Sequence, residues 1–162
     1  MYRIGLMSDT HGYLHPQIFT HFAEVDEIWH AGDIGSMDLA KSLSAFKPFR
    51  AVYGNIDGRD IRAEYPEDLR FQVEDLDVWI THIGGYPGRY APRVRPLIRA
   101  NPPQLFISGH SHILKVMPDQ DLQLLHINPG ACGQQGWHRV KTLVRFVVRK
   151  DKIEQLEVVE LS

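Results

Sequence analysis

The stretch "LFISGHSHILK", residues 105–115, decides how the chain is to be read. Leu105, Phe106, Ile107 and Ser108, apolar in bias, run into Gly109 and then into His110 and His112, one serine apart. A buried strand that stops at a glycine can bring its imidazoles into close quarters with other groups. Two histidines alone fix nothing, but the layout recurs. "RIGLM" runs into "SDTHG" (Asp9, His11), "EIWHA" into "GDIG" (Asp33), "FRAVY" into "GNIDG" (Asn55, Asp57) and "DVWI" into "THIGG" (His82). In open α/β sheets, functional groups gather beyond the carboxyl ends of strands. The clusters are therefore expected to share one location.

Working outward, the first half alternates strands with helices. Residues 2–7, 27–31 and 49–54 are predicted strands, and 16–25 and 36–46 predicted helices, the second with Ser36 as N-cap. Helices between strands imply right-handed crossovers and a largely parallel sheet. The second half is β-rich. Residues 69–75 and 77–83 read as a hairpin, 89–100 as a Pro-interrupted helical stretch, and 104–109, 113–118, 122–128, 142–150 and 152–161 as strands. Two facing sheets with helices outside would bury both sets of apolar faces. No repeat, low-complexity tract or linker divides the chain, so residues 1–162 are expected to form a single domain.

Bulk properties narrow the function. A net charge of −2 argues against broad charge-driven binding to nucleic acid, and no long basic track is evident. No apolar run approaches the roughly 20 residues a membrane helix needs, so no membrane partner is expected. The N-terminus lacks a signal-peptide layout, and the single cysteine, Cys132, suits a reducing compartment; a cytoplasmic location is expected. Between Val78 and Pro118 there is no acidic residue, whereas Arg89, Arg93, Arg95, Arg99 and Lys115 fall in that window. Such a region can hold an anion. Arg89 and Arg93 are the candidate substrate contacts, against the plainer reading of a solvated arginine face.

The clusters carry the chemistry. Asp9 and His11 are two apart, as are His110 and His112, so an extended chain would point each pair to one side. Singly, such pairs are ordinary turns, Asp9 or Asp33 could cap a helix, and Asn55 is a common turn residue. Their succession at expected strand ends is poorly explained by independent turns. Two carboxylates, an amide and four imidazoles, with no thiolate among them, suit Mn²⁺, Fe or Zn²⁺. They are too many for one ion and fit two ions about 3.5–4 Å apart, with one carboxylate bridging.

"DTH" at 9–11, "GD" at 32–33, "GN" at 54–55, His82, "GHSH" at 109–112 and "INPGA" at 127–131 together resemble the calcineurin-like metallophosphoesterase superfamily, in particular its small prokaryotic phosphodiesterase branch. The resemblance implies a four-layer α/β/β/α sandwich with two facing mixed sheets. It implies one divalent metal held by Asp9, His11, Asp33 and His112, and a second held by Asp33, Asn55, His82 and His110. Mn²⁺ is favoured, with Fe, Zn and Ni as the other candidates. The implied activity is hydrolysis of small phosphodiesters or nucleotides by a hydroxide between the metals, with Asn55 and His110 also steadying phosphate oxygens. Many members carry a histidine directly after the motif asparagine, as acid or transition-state donor; this chain has Ile56 there, followed by Asp57. His30 and His126 are the remaining candidate proton donors, though each reads more simply as a packed histidine. The competing class is a non-enzymatic interaction scaffold of the same fold, and a homo-oligomer is compatible with either.

Overall fold

The structure, a computed structural model, describes residues 1–162. Strand β1 (Tyr2–Met7) sets the pattern. Its side chains alternate, so Ile4 and Leu6 enter one apolar cluster while Met7 enters another. The chain continues through α1 (Gln17–His21), β2 (Glu27–His30), α2 (Met37–Phe46), β3 (Phe49–Ala51) and α3 (Arg59–Glu64). Strands β1, β2 and β3 pair in parallel. Helix α2 begins where expected, with the Ser36 hydroxyl accepting the Leu39 N–H at 3.3 Å.

A hairpin follows as expected, β4 (Asp68–Val73) against β5 (Leu76–Thr81). Next come a short ribbon of β6 (Gly85–Tyr86) and β7 (Arg89–Tyr90), helix α4 (Val94–Ala100), and strands β8 (Leu105–Ile107), β9 (Lys115–Asp119), β10 (Leu124–Asn128), β11 (Lys141–Arg149) and β12 (Lys152–Leu161). One sheet has the order β12-β11-β1-β2-β3 and the other β4-β5-β8-β10-β9. Both are mixed: β1–β2–β3 are parallel with β11 and β12 antiparallel on the β1 side, and β5–β8–β10 are parallel with β4 and β9 antiparallel at either edge.

The apolar clusters define the layers. Between the sheets, Ile4, Leu6, Trp29, Val144 and Phe146 meet Val78, Ile80, Leu105, Ile107 and Ile127. On the outer face of the first sheet, Ile18, Phe22, Leu39, Leu43 and Ile61 from the helical side cover Met7 and Ile28. On the outer face of the second, Val94 and Ile98 of α4 cover Trp79 and Phe106. This is the expected α/β/β/α sandwich. No helix is long and apolar enough to cross a membrane.

Three elements differ from expectation for identifiable reasons. Helix α1 ends at His21 rather than near Val25, because the chain must turn into β2, where Asp26 takes the Arg3 N–H at 2.8 Å on its carboxylate. Helix α3 buries only Ile61, too little to leave a periodic signature; it is tied instead by Arg62 Nε donating to the Asp57 carbonyl at 2.6 Å. The stretch 89–100 is split, its first residues pairing with Gly85 and Tyr86 and only the remainder forming α4.

Candidate functional site

Five polar residues at the strand ends adopt a backbone that L-residues rarely use: φ is 56° at Asp9, 48° at His11, 56° at Asp33, 71° at His110 and 63° at His112. The pairs are thus presented by left-handed turns, not by the extended chain that their spacing suggested. Left-handed backbone costs roughly 1–2 kcal/mol per ordinary residue, and it persists only where the surroundings hold it. Here they do. Asp9 N–H donates to Gly32 O at 3.0 Å, His11 N–H to Asp33 O at 3.0 Å and Gly12 N–H to Ile34 O at 2.8 Å, locking the loops after β1 and β2 side by side. From the facing sheet, His110 N–H donates to Asp9 Oδ2 at 3.2 Å, and Gly109 N–H to His82 O at 2.9 Å.

These loops bring all seven sequence-selected side chains together. Asp9, His11 and His112 form one group able to hold a metal ion, and Asp33, His82 and His110 a second. His112 Nε2 lies 3.2 Å from Asp9 Oδ1. Asp33 Oδ2 stands between the groups, 3.4 Å from His11 Nε2 and 3.2 Å from His82 Nε2. Asn55 Oδ1 is 3.0 Å from His110 Nδ1. His82 Nδ1 lies 2.7 Å from the Ala31 carbonyl, which can only accept, so that nitrogen carries the proton and Nε2 presents its lone pair to the carboxylates.

Whether a cation fits is decided by the atoms left over. Asp9 Oδ1, His11 Nε2 and His82 Nε2 are buried without a hydrogen-bond partner. They face one another, with Asp9 Oδ1 at 3.7 Å from His11 Nε2 and 3.8 Å from His82 Nε2. Buried polar atoms are nearly always satisfied, and acceptors converging beyond hydrogen-bond range make a cradle for a positive ion. The oxygen and nitrogen donors suit a divalent first-row metal.

The electrostatics follow from the same crowding. Burial pushes the Asp9 carboxyl up, but His11, His112, His82 and the Ser8 hydroxyl outweigh it and hold the group well below the usual carboxylate range. Asp33 is likewise pushed up by burial and brought down further by His82 and the Ile56 N–H. The neighbouring Asp9 carboxylate raises His11 against its burial, with Asp33 adding to the effect; His82 is pushed down by burial but also ends raised, because Asp33 and Asp9 outweigh it. Burial and the neighbouring His82 lower His110.

A supporting layer was less legible. Asp57 does not wait for an imidazole: its carboxylate accepts the N–H groups of Gly35 at 2.8 Å, Gly54 at 2.8 Å and Ile34 at 3.1 Å, bracing the loops that carry Asp33 and Asn55. Ile56 contributes its N–H to Asp33 Oδ1 at 3.1 Å. Ser8 donates to Asp9 Oδ2 at 2.6 Å, and Asn128 donates to Gly109 O at 3.0 Å. His30 is fully packed: it accepts the Gly32 N–H on Nδ1, meets Thr10 Oγ1 at 3.0 Å through Nε2, and is held by burial at about 4. His126 is packed as well, bonded to Phe106 O and lowered by burial to about 4. His138, unmarked in the sequence, stands with its ring 5.2 Å from that of His112. Its only sequence signal is a histidine soon after "INPGA".

The arginines are placed differently from one another. Arg93 lines a cavity of about 550 Å³ with Asn55, His82, Tyr53 and Arg62. Its guanidinium is paired with Asp68 at 2.9 Å and Glu67 at 3.4 Å. Arg89 is exposed on β7, opposite Tyr86. The window free of acids in sequence is not free of them in space, because β4 and its approach supply carboxylates across the fold.

Residues 2–151 match the calcineurin-like phosphoesterase superfamily domain. The chain is 33% identical to the "Probable metallophosphoesterase" of Methanothermobacter thermautotrophicus over 133 residues, 79% of this chain and 76% of that one. It is 31% identical to a phosphodiesterase of Methanocaldococcus jannaschii over 147 residues, 80% of this chain and 84% of that one. Among solved structures, a novel archaeal phosphodiesterase superimposes with a TM-score of 0.74 at 26% identity, covering 98% of this chain and 99% of that one. Wild-type Vps29 of Entamoeba histolytica complexed with Zn²⁺ superimposes equally well, TM-score 0.74, at 13% identity and 98% coverage of both; at that identity the likeness is one of fold. The chain belongs to the calcineurin-like phosphoesterase superfamily, whose members are divalent-metal-dependent hydrolases of phosphate esters.

Proposed function

We propose that the chain is a two-metal phosphodiesterase acting on small diesters or nucleotides. The observation that carries this is the set of buried, unpartnered atoms (Asp9 Oδ1, His11 Nε2, His82 Nε2) facing one another between two ligand groups. Asp9, His11, Asp33 and His112 would hold one ion, and Asp33, Asn55, His82 and His110 the other. The chemistry such ions supply is neutralisation of phosphate oxygens and a water acidic enough to ionise near neutral pH. Mn²⁺ is the ion proposed, with Fe, Zn and Ni as alternatives; the mixed oxygen and nitrogen donors are compatible with each of them.

The residues of the chain do the rest. Asn55 and His110 are the solvent-facing members of the set, so they meet the phosphate group and orient it. The cavity between Asn55, His82 and Arg93 receives one ester substituent. None of the proton donors suggested by the sequence stands ready to protonate the leaving group. Ile56 cannot transfer a proton, and His30 and His126 are buried and neutral. Good leaving groups are therefore preferred. The buried Cys132 thiol, pushed by burial up to about 12, is inert and compatible with a reducing cytoplasm. The completeness of the ligand set disfavours a purely scaffolding role.

The test pairs metal content with turnover. Elemental analysis after Mn²⁺ loading is expected to give two ions per chain, and an activated aryl phosphodiester to be cleaved far faster than an alkyl phosphate monoester. Failure to bind metal, or comparable rates on both esters, would overturn the assignment.

A further inference from the structure

We propose that His138 is the positioning residue for His112: its Nδ1 lone pair accepts the His112 Nδ1 proton when that histidine binds metal. The inference rests on the proposed metal centre and adds a residue that the ligand motifs do not contain.

Two unfinished valences meet here. His112 turns Nε2 toward Asp9 at 3.2 Å, so a metal bound in that group takes the Nε2 lone pair and leaves the proton on Nδ1. A metal-binding histidine almost always donates that other N–H to an acceptor, which fixes the ring. His112 Nδ1 makes no hydrogen bond to a protein acceptor, so the acceptor has to be found nearby. His138 is the complementary case. Its Nε2 lies 2.8 Å from the Gly133 carbonyl, which can only accept, so in the neutral ring Nε2 holds the proton and Nδ1 the lone pair. That Nδ1 is buried with no partner.

The rings stand edge to face, centroids 5.2 Å apart at 75°. Both Nδ1 atoms border Gly136: a Cβ there would collide with His112 Nδ1 and stand 3.0 Å from His138 Nδ1. Gly136 has φ of 124°, a conformation open in practice only to glycine, so the loop is shaped to let the two edges approach. The loop is also rooted at the site, since Gly133 N–H donates to Asp9 O at 3.1 Å. His138 is therefore tied to Asp9 through Gly133 at one nitrogen and aimed at the region of His112 with the other. The competing acceptor is solvent.

The experiment compares wild type, His138→Leu and His138→Gln; the glutamine amide oxygen can accept where leucine cannot. Calorimetric titration of the metal-free protein with Mn²⁺ is expected to show two sites in wild type. In His138→Leu, one site should weaken by about 10–100-fold, the usual cost of losing such a partner, while the other keeps its affinity, and His138→Gln should recover most of the loss. In the Zn²⁺-loaded protein, a slowly exchanging His112 Nδ1–H is expected by NMR in wild type and lost in His138→Leu. Two intact sites in His138→Leu, or an equally protected His112 proton, would overturn the assignment while leaving the metal centre standing. Equal loss in both variants would show a packing role and overturn it too. A wild type that binds no metal would remove the centre and the inference together.

Discussion

Replacing Asp57 by alanine should damage this protein more than its distance from the ligand list suggests. The side chain is 4% exposed and accepts three backbone N–H groups, from Gly35, Gly54 and Ile34. Hydrogen bonds to a charged acceptor contribute about 1.5–3 kcal/mol each. Alanine removes all three and strands the donors. Taking the low end, because the loops can relax and admit water, gives about 4–5 kcal/mol. Asparagine can keep the bonds at Oδ2, to Ile34 and Gly54, but sets an amide donor against the Gly35 N–H; about 2 kcal/mol is expected. For a chain of this size, each kcal/mol moves Tm by roughly 2–4 °C, so Asp57→Ala should melt roughly 8–20 °C lower. The assay is urea unfolding of the metal-free proteins at neutral pH, followed by Mn²⁺ titration of each. Metal affinity should fall in the same order as stability, because the braced loops carry Asp33 and Asn55. A loss under about 1 kcal/mol for the alanine variant, within the range of ordinary surface substitutions, would refute the bracing role.

Further outcomes can be stated briefly. Asp33→Ala should lose nearly all diesterase turnover and bind less than one metal ion, since Asp33 faces both His11 and His82; retained turnover would remove its shared role. Gly54→Ala should mimic it without replacing any ligand residue, because a Cβ there would collide with the Asp33 carboxylate; wild-type Mn²⁺ affinity in a folded variant would contradict this. Stability should fall in acid through His126. Its folded pKa of about 4 lies below the ordinary value of 6.5, so the unfolded chain binds more protons between those values and stability drops as pH falls through that window. The contribution of His126 is on the order of 3 kcal/mol, and His126→Gln should reduce the slope of the unfolding-versus-pH curve over this range, leaving the share of His30, which burial also holds at about 4. Curves that stay parallel would show that His126 is not the group responsible.

How much of this was legible beforehand depends on the range over which each feature is determined. Alternation of side chains along a strand is local, so "YRIGLM" and "LFIS" announced their buried faces, and the glycines and polar groups that follow announced the ends. From these the sandwich and the seven converging side chains could be read. The backbone at those ends could not. Left-handed φ at Asp9, His11, Asp33, His110 and His112 is imposed by neighbouring loops and contradicts the extended pairs that the spacing suggested.

Partners chosen across the fold were equally hidden. Asp57 bonds to Ile34 and Gly35, Arg93 to Asp68, and His138 approaches His112, none of them periodic neighbours. The sequence by itself determined which chemical groups gather at the strand ends, because pleat and burial act between adjacent residues. Only the tertiary structure decided which buried donor meets which acceptor, because that depends on how distant loops pack once the sheets have closed on their common core.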